Sequence, residues 1–152
     1  MRFLQTYDSC LDAVGSYWID NDRRLRIEKY HGKTGLADLK AVQCSIAADP
    51  AWRADFHGLI DFSEADLDIS ANEILRLALV MRHGPSRSHG WLAYVVTHSA
   101  THGAVRMLCH WMRATDRMRI FKTRAEAEIW LARNIYQIPP AFISEVELRN
   151  VG

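Results

Sequence analysis

The feature that most constrains the fold of this 152-residue chain is a strand-like segment followed by a helix-like segment, repeated four times. The units recur at a spacing of about thirty residues and share no sequence identity. Such alternation predicts an α/β fold with a mostly parallel sheet and right-handed crossovers. The polar turn Asn21-Asp22 lies between two short β-prone runs and predicts an N-terminal hairpin, which adds an antiparallel edge. We therefore expect a mixed sheet of about five strands with about four helices.

The predicted strands and helices alternate along the chain. The strands are predicted within RLRIEKYHG, HGLIDFS, WLAYVVT and MRIF, and the helices within TGLADLKAVQCSIAADP, SANEILRLALVMRHG, THGAVRMLCHWM and TRAEAEIWLARN. Ser70 and Glu73 fit a capping box at the start of the second helix. Thr123 and Glu126 fit another at the start of the fourth, and Thr101 is the predicted N-cap of the third. The continuous apolar run in WLAYVVT is typical of a central strand covered on both faces.

The length and composition are those of one globular domain. Hydrophobic residues make up 49% of the chain and charged residues 24%, which indicates a folded core rather than disorder. We divide the chain into an N-terminal extension (1–16), the α/β domain (17–134) and a C-terminal tail (135–152). Pro139-Pro140 interrupts the tail, whose remainder is compatible with a short strand, a helix or an arm on a neighbour.

Charge and cysteine content restrict the compartment and the partners. The formal net charge is +1, so no overall field predicts binding to nucleic acid or to a membrane surface. Cys10, Cys44 and Cys109 are odd in number and widely spaced, and no CxxC occurs, which argues against a disulfide framework and fits a reducing cytosol. The N-terminus lacks a signal-peptide pattern, and no apolar run approaches the roughly 18 to 20 residues of a membrane span. These features predict a soluble cytoplasmic protein.

Polar residues follow the predicted strands, at the edge where open α/β sheets bind ligands. The candidate partner-binding or phosphate-binding residues are Asp61, Ser63, Ser70, His98, Ser99, Thr101, His102, Gly103 and Arg106. In this interpretation Asp61 orients the loop from 61 to 70, and Ser63 and Ser70 cap a helix or accept phosphate. The His and Arg side chains would meet an anionic group.

The loop THSATHG leads into a predicted helix start, where backbone N–H groups and the helix dipole favour an anion. Arg106, one turn into that helix, would add a charge-assisted hydrogen bond, and Gly103 would let a ligand or backbone approach closely. The alternatives are that Gly103 only relieves packing and that Arg106 pairs with an acid of a neighbouring loop. Residues 106–124 hold six Lys/Arg against one Asp, a run that could bind anions but is more often a solvated face.

Metal and cofactor chemistry have weak sequence support. His98 and His102 straddle the predicted helix start, and Cys109 lies about two turns beyond His102, roughly 10 Å away, too far to share one ion. No G-x-S-x-G elbow, no G-x-G-x-x-G after a strand and no G-x-x-x-x-G-K-[ST] occurs. Trp111 and Phe121 lie among the arginines of the basic run but in core-like contexts, and no nucleic-acid recognition module is present. We therefore predict no catalytic residues, no metal and no cofactor.

The order and spacing of several segments resemble the SpoIIAA-like, or STAS-like, group of bacterial proteins. The segments are RLRIEKYHGKTG, DPAW, GLIDFS, GAVRM and IFKTRAEAEIWL, and they span about residues 17 to 134. The resemblance implies a β/α fold that acts by protein–protein contact rather than by catalysis. In the sporulation anti-sigma-factor antagonists of this group, a serine in a D-S-S-G motif is phosphorylated by a partner kinase. The matching residues here are Asp68, Ile69, Ser70 and Ala71, so isoleucine replaces the phosphorylated serine and only the second serine remains.

The leading hypothesis is a non-enzymatic cytoplasmic STAS-like domain that binds a partner protein and responds to an anion or to phosphorylation. The alternative is a small anionic-ligand binder or enzyme that uses His98, His102 and Arg106, which requires a deep pocket at the strand ends. A third hypothesis, compatible with both, is homo-oligomerisation, for example as a homodimer, through residues 74–81 and the C-terminal tail. It rests on residues 74–81, which are apolar almost all the way round apart from Arg76 and therefore predict a helix buried on more than one side, by the core or by a partner subunit.

Overall fold

The polar turn after Asp20 forms the predicted hairpin in the computed structural model of the protein, which describes residues 14–135. Strand β1 (Gly15–Asp20) pairs antiparallel with β2 (Leu25–Thr34). Residues 1–13 of the predicted extension and residues 136–152 of the predicted tail lie outside the described residues.

Four strand–helix units follow as predicted, the first of them starting with β2. The remaining elements are α1 (Leu36–Ala48), β3 (His57–Leu67), α2 (Ala71–His83), β4 (Leu92–Val95), α3 (Ser99–Trp111), β5 (Met118–Phe121) and α4 (Arg124–Asn134). The sheet order is β1-β2-β3-β4-β5, and every pair after the first is parallel. The expected mixed five-stranded sheet with four helices is therefore confirmed. No helix within residues 14–135 is long and apolar enough to cross a membrane.

Helices cover the two faces of the sheet unequally. Apolar residues of α1, α2 and α3 share one core cluster with the side chains that β2, β3 and β4 direct to one face, among them Tyr30, Phe62 and Tyr94. Within the described range, the opposite face packs against α4 through Ala127 and Leu131. All four residues of β4 are buried, as expected for a central strand covered on both sides. The outer sides of α2 and α3 are thus presented together on one side of the molecule.

Strand β3 continues further than its sequence predicts. The segment from Asp61 to Ser70 was expected to be a loop after a short strand, but β3 stays paired with β2 as far as Leu67, which lies opposite Thr34. Burial favours the extension, because Ala65 joins the hydrophobic core and the Thr34 side chain is also buried. Six strand residues rise by about 20 Å, so the end of β3 projects well beyond Asp61. The prediction of a loop was wrong, and Ser70 lies far from the end of β4.

The helix starts show one confirmed prediction and two corrections. At α2 both bonds of the capping box form: Ser70 Oγ accepts from Glu73 N, and Glu73 Oε1 accepts from Ser70 N. At α4 only the bond from Glu126 N to Thr123 Oγ1 is present. The N-cap of α3 is His98, not Thr101 as predicted. Because β4 ends at Val95, the chain enters α3 earlier than expected and buries the Thr101 side chain in the first turn.

Candidate functional site

The ends of β3 and β4 are tied together by Asp61, Ser63 and Thr97. Asp61 is buried, its Oδ1 accepts a hydrogen bond from Ser63 N at 2.9 Å, and its Oδ2 lies 3.8 Å from an Arg124 guanidinium nitrogen of α4. Thr97 Oγ1 donates to the Ser63 carbonyl at 2.9 Å. The buried carboxylate therefore turns toward α4 and the strand backbone, on the side of the sheet opposite α3.

Three residues of the segment matching the D-S-S-G motif make contacts within the fold. Asp68 forms an exposed ion pair with Lys33 at 3.5 Å. Ile69 packs against the core that lies under α1, α2 and α3. Ser70 is exposed but caps α2. Phosphorylation of Ser70 stays an untested prediction, and a phosphate there would lie at a helix N-terminus, where negative charge is tolerated.

The candidate residues on α3 do not converge on one point. His98, Ser99, His102, Gly103 and Arg106 are exposed. Because α3 begins at Ser99, Arg106 lies two turns into the helix rather than one, about 10 Å along the axis from its start. The backbone N–H groups at the helix start and the Arg106 guanidinium are therefore too far apart to bind one small anion together as the sequence had predicted.

The structure does not support the alternatives that Gly103 only relieves packing and that Arg106 pairs with an acid of a neighbouring loop. A Cβ added at Gly103 would meet no atom within 4 Å, so the glycine relieves no packing inside the fold. Arg106 forms no ion pair with any residue between 14 and 135. Neither position is covered or paired by another residue of the described range.

The described residues contain no metal centre, and the Cys109 thiol is buried. No group of three or more His, Cys, Asp or Glu side chains among residues 14–135 is placed to hold a metal ion. Burial of Cys109 raises the pKa of its thiol to about 12, so the reactive thiolate form is scarce near neutral pH.

A surface that the sequence did not predict lies on α2 and α3. Five large hydrophobic side chains are exposed among the described residues, and four of them lie on these two adjacent helices: Leu79, Val80, Met107 and Trp111. The fifth, Ile129, lies on α4, beyond the other face of the sheet. Among residues 14–135 the core buries only one side of α2, and burial of its other side by a partner subunit stays a prediction. We call these four residues, with Arg76, Arg82 and Arg106, the α2–α3 face.

The α2–α3 face is basic as well as apolar. The two helices carry Arg76, Arg82 and Arg106, whereas Glu73 is their only acid and is engaged in the capping box. Exposed His102 and His110 add polar groups beside the arginine of α3. A sequence signal for this surface exists in Ala100, Ala104, Met107 and Trp111, whose spacing of four, three and four residues places them along one side of a helix.

A second feature missed by the sequence interpretation is a buried polar centre on β2. The Arg26 and Glu28 side chains are each 1% exposed and pair with Nε and Oε2 at 2.9 Å. Glu28 Oε1 accepts from the Tyr30 hydroxyl at 2.6 Å and from Gln43 Nε2 at 2.9 Å. The Arg26 guanidinium donates to the Ser86 carbonyl. Each charge therefore has hydrogen-bonding partners inside the core.

The surroundings of this centre keep the Tyr30 phenol protonated. Burial, with Glu28 beside it, raises the pKa of Tyr30 well above its usual value. The phenol therefore keeps its proton and donates a hydrogen bond to the Glu28 carboxylate. The Trp52 ring lies 4.7 Å from the Arg26 guanidinium and adds a cation–π contact. The sequence signal was the alternation Arg26, Glu28, Tyr30, since residues two apart on a strand share one face.

Comparison with known proteins identifies the fold. No protein-family model matches the chain, and no curated protein is significantly similar to it in sequence. A solved structure does match: an uncharacterized protein of the DUF3478 family with a SpoIIAA-like fold, from Shewanella loihica PV-4. It is 19% identical, with a TM-score of 0.53, and the match covers 77% of this chain and 93% of that one. The expected fold is thereby confirmed: the chain has a SpoIIAA-like fold.

Proposed function

We propose that this protein is a non-enzymatic, cytoplasmic regulatory module that binds a partner protein through its α2–α3 face. The observation that carries the proposal is the concentration of four of the five exposed large hydrophobic side chains on two adjacent helices. Scattered single hydrophobic residues are ordinary on a protein surface, whereas grouped ones mark interaction sites. Large side chains such as Met107 and Trp111 are also the types enriched in protein interfaces.

The alternative of a small-ligand binder or enzyme has less support. It requires His98, His102 and Arg106 to meet in a deep pocket, but all three side chains are exposed and are distributed along two turns of α3. The buried carboxylate of Asp61 turns toward α4 instead of toward these residues. A protein surface, unlike a small ligand, can contact groups that are spread over this distance.

The test is site-specific photo-cross-linking in the native host. A photoreactive amino acid replaces Met107, which is 38% exposed on the α2–α3 face, and in a matched chain replaces Ile129, which is 54% exposed on α4. We expect one defined protein adduct from position 107 and none of that mass from position 129. The adduct should disappear when Trp111→Ser is added, because Trp111 lies one turn away on the same helix.

Identical adduct patterns from both positions would contradict the proposal, since they would report collisions rather than a binding face. Loss of fold is controlled by circular dichroism of each variant. Both substituted side chains are exposed, so the variants are expected to melt close to the wild-type temperature.

A further inference from the structure

We infer that the segment of the partner that docks on the α2–α3 face is an amphipathic α-helix flanked by acidic residues. This inference rests on the proposed function and specifies its partner. It follows from three observations on the face and on the start of α3 beside it: the spacing of apolar residues along α3, the small side chains near its start, and the sign of the charge.

The spacing favours a helical partner. Ala100, Met107 and Trp111 are exposed on α3, and Ala104, which is partly buried against the core, lies between them at intervals of four, three and four residues. These intervals are close to the 3.6 residues of one helical turn, so the four residues lie along one side of α3 and can contact a second helix packed alongside it. The exposed Leu79 lies on α2, which packs directly against α3, and extends the apolar surface beyond a single helix.

The size of the side chains favours close approach of that partner near the start of α3. Ala100 and Gly103 are exposed there, and nothing lies within 4 Å of the position that a Gly103 Cβ would occupy. Small residues let two helix axes come near each other. Met107 and Trp111, one to three turns further on, supply the larger apolar contact.

The charge favours an acidic partner. Arg76, Arg82 and Arg106 have no ion-pair partner among the described residues, and the only acid on the two helices caps α2. A helix with Glu or Asp beside its apolar seam would satisfy these cations and exclude basic competitors. A second copy of this chain fits poorly, because pairing two α2–α3 faces would bring arginines against arginines.

The test uses a synthetic peptide of about three heptads with Leu at the seam positions and Glu at the flanking positions. A control peptide has Lys in place of every Glu. Each is titrated into the full-length, isotope-labelled protein at low salt, with binding followed by calorimetry and by NMR shifts of backbone amides. The protein variants are Arg106→Glu and, as a matched control, Arg133→Glu, an exposed arginine in the last turn of α4.

We expect the Glu peptide to bind the wild type and the Arg133→Glu variant equally, to shift amides of α2 and α3, and to lose about tenfold in affinity for Arg106→Glu. The Lys peptide should not bind. Equal binding of both peptides, shifts confined to α4, or no binding of the Glu peptide would each overturn the inference.

The two proposals fail in different ways. A protein adduct at position 107 combined with no binding of the Glu peptide leaves the interaction module intact and shows that its partner is not an acidic helix. An adduct whose mass is twice that of this chain would identify a second copy as the occupant and overturn the inference. Absence of a specific adduct together with absence of peptide binding would remove both proposals.

Discussion

At the scale of single residues, Gly103 has the most unusual relation to its surroundings. It lies in the interior of α3, where glycine costs about 1 kcal/mol relative to alanine. Its backbone conformation is not one that requires glycine, and a Cβ there would meet nothing within 4 Å. The fold by itself therefore gains nothing from glycine at this position, whereas a helix packed on the outer side of α3 would.

We predict that Gly103→Ala stabilises the free protein by about 0.5 to 1 kcal/mol and weakens its binding to the partner. The gain comes from the lower conformational entropy of alanine in the unfolded chain, and the loss comes from the added methyl group at the closest point of approach. Urea denaturation measures the first effect, and titration with the Glu peptide measures the second.

Gly58 provides the contrasting control. A Cβ at this position in β3 would lie 2.6 Å from a methyl carbon of Leu92, inside the core. Gly58→Ala should therefore destabilise the protein by about 1 to 3 kcal/mol through overpacking. A Gly103→Ala variant that is destabilised like Gly58→Ala would show that α3 is packed differently from the arrangement described above.

At the scale of elements, β2 combines an apolar face with a charged one inside the protein. Leu25 and Ile27 pack under α4, whereas Arg26, Glu28 and Tyr30 are buried on the side of α1. Removal of one charge from a buried pair leaves the other without compensation, which is more damaging than replacement of both.

We predict that Glu28→Ala destabilises the fold by about 3 to 5 kcal/mol, because it leaves Arg26 unpaired and removes the acceptor of Tyr30 and Gln43. The double variant Arg26→Met/Glu28→Leu should recover much of that loss. Equilibrium urea denaturation of the wild type and both variants gives the comparison. A double variant less stable than Glu28→Ala would mean that the charges are tolerated for reasons other than their mutual compensation.

The elements also show what the sequence could and could not predict. Hydrophobic periodicity and capping residues predicted the strand–helix order, because those signals are local and lie in the elements themselves. The extent of β3 depends on its pairing with β2 over residues that carry alternating charges, and such pairing has no local signature. The α2–α3 face was missed for a related reason: the apolar run 74–81 predicts burial, but only the packed sheet determines which of its residues remain exposed.

At the scale of the whole molecule, the proposed binding surface and helix α4 lie on opposite sides of the sheet. Among residues 14–135, α1, α2 and α3 pack on one face of the sheet and α4 packs on the other. His57 links several parts of this second layer. It begins β3, its Nδ1 accepts a hydrogen bond from Trp91 N at 3.0 Å just before β4, and its Nε2 lies 3.0 Å from the Ile135 carbonyl just after α4. Since Nδ1 accepts a hydrogen bond, Nε2 carries the proton of the neutral ring and donates a hydrogen bond to the Ile135 carbonyl.

This arrangement makes the stability of the fold depend on pH. Burial lowers the pKa of His57 below its ordinary value of 6.5, and the nearby Arg24 acts in the same direction, whereas the Ile135 carbonyl and Asp55 oppose it. The unfolded chain therefore binds a proton more readily than the folded one. The contribution of His57 to the free energy of unfolding is fully present above about pH 6.5 and is lost progressively as the pH falls below that value.

We predict that the free energy of unfolding of the wild type falls between about pH 7.5 and pH 5, and that His57→Asn reduces the slope. Asparagine cannot titrate in this range, but its side-chain oxygen can still accept from Trp91 N, so the variant is expected to fold. The other six histidines are present in both proteins, and the difference between the two pH profiles therefore isolates His57.

Protonation would place a hydrogen on Nδ1 opposite the Trp91 N–H and break the link between the starts of β3 and β4. Urea denaturation at each pH measures the effect, and parallel profiles for the two proteins would show that His57 is not the group responsible.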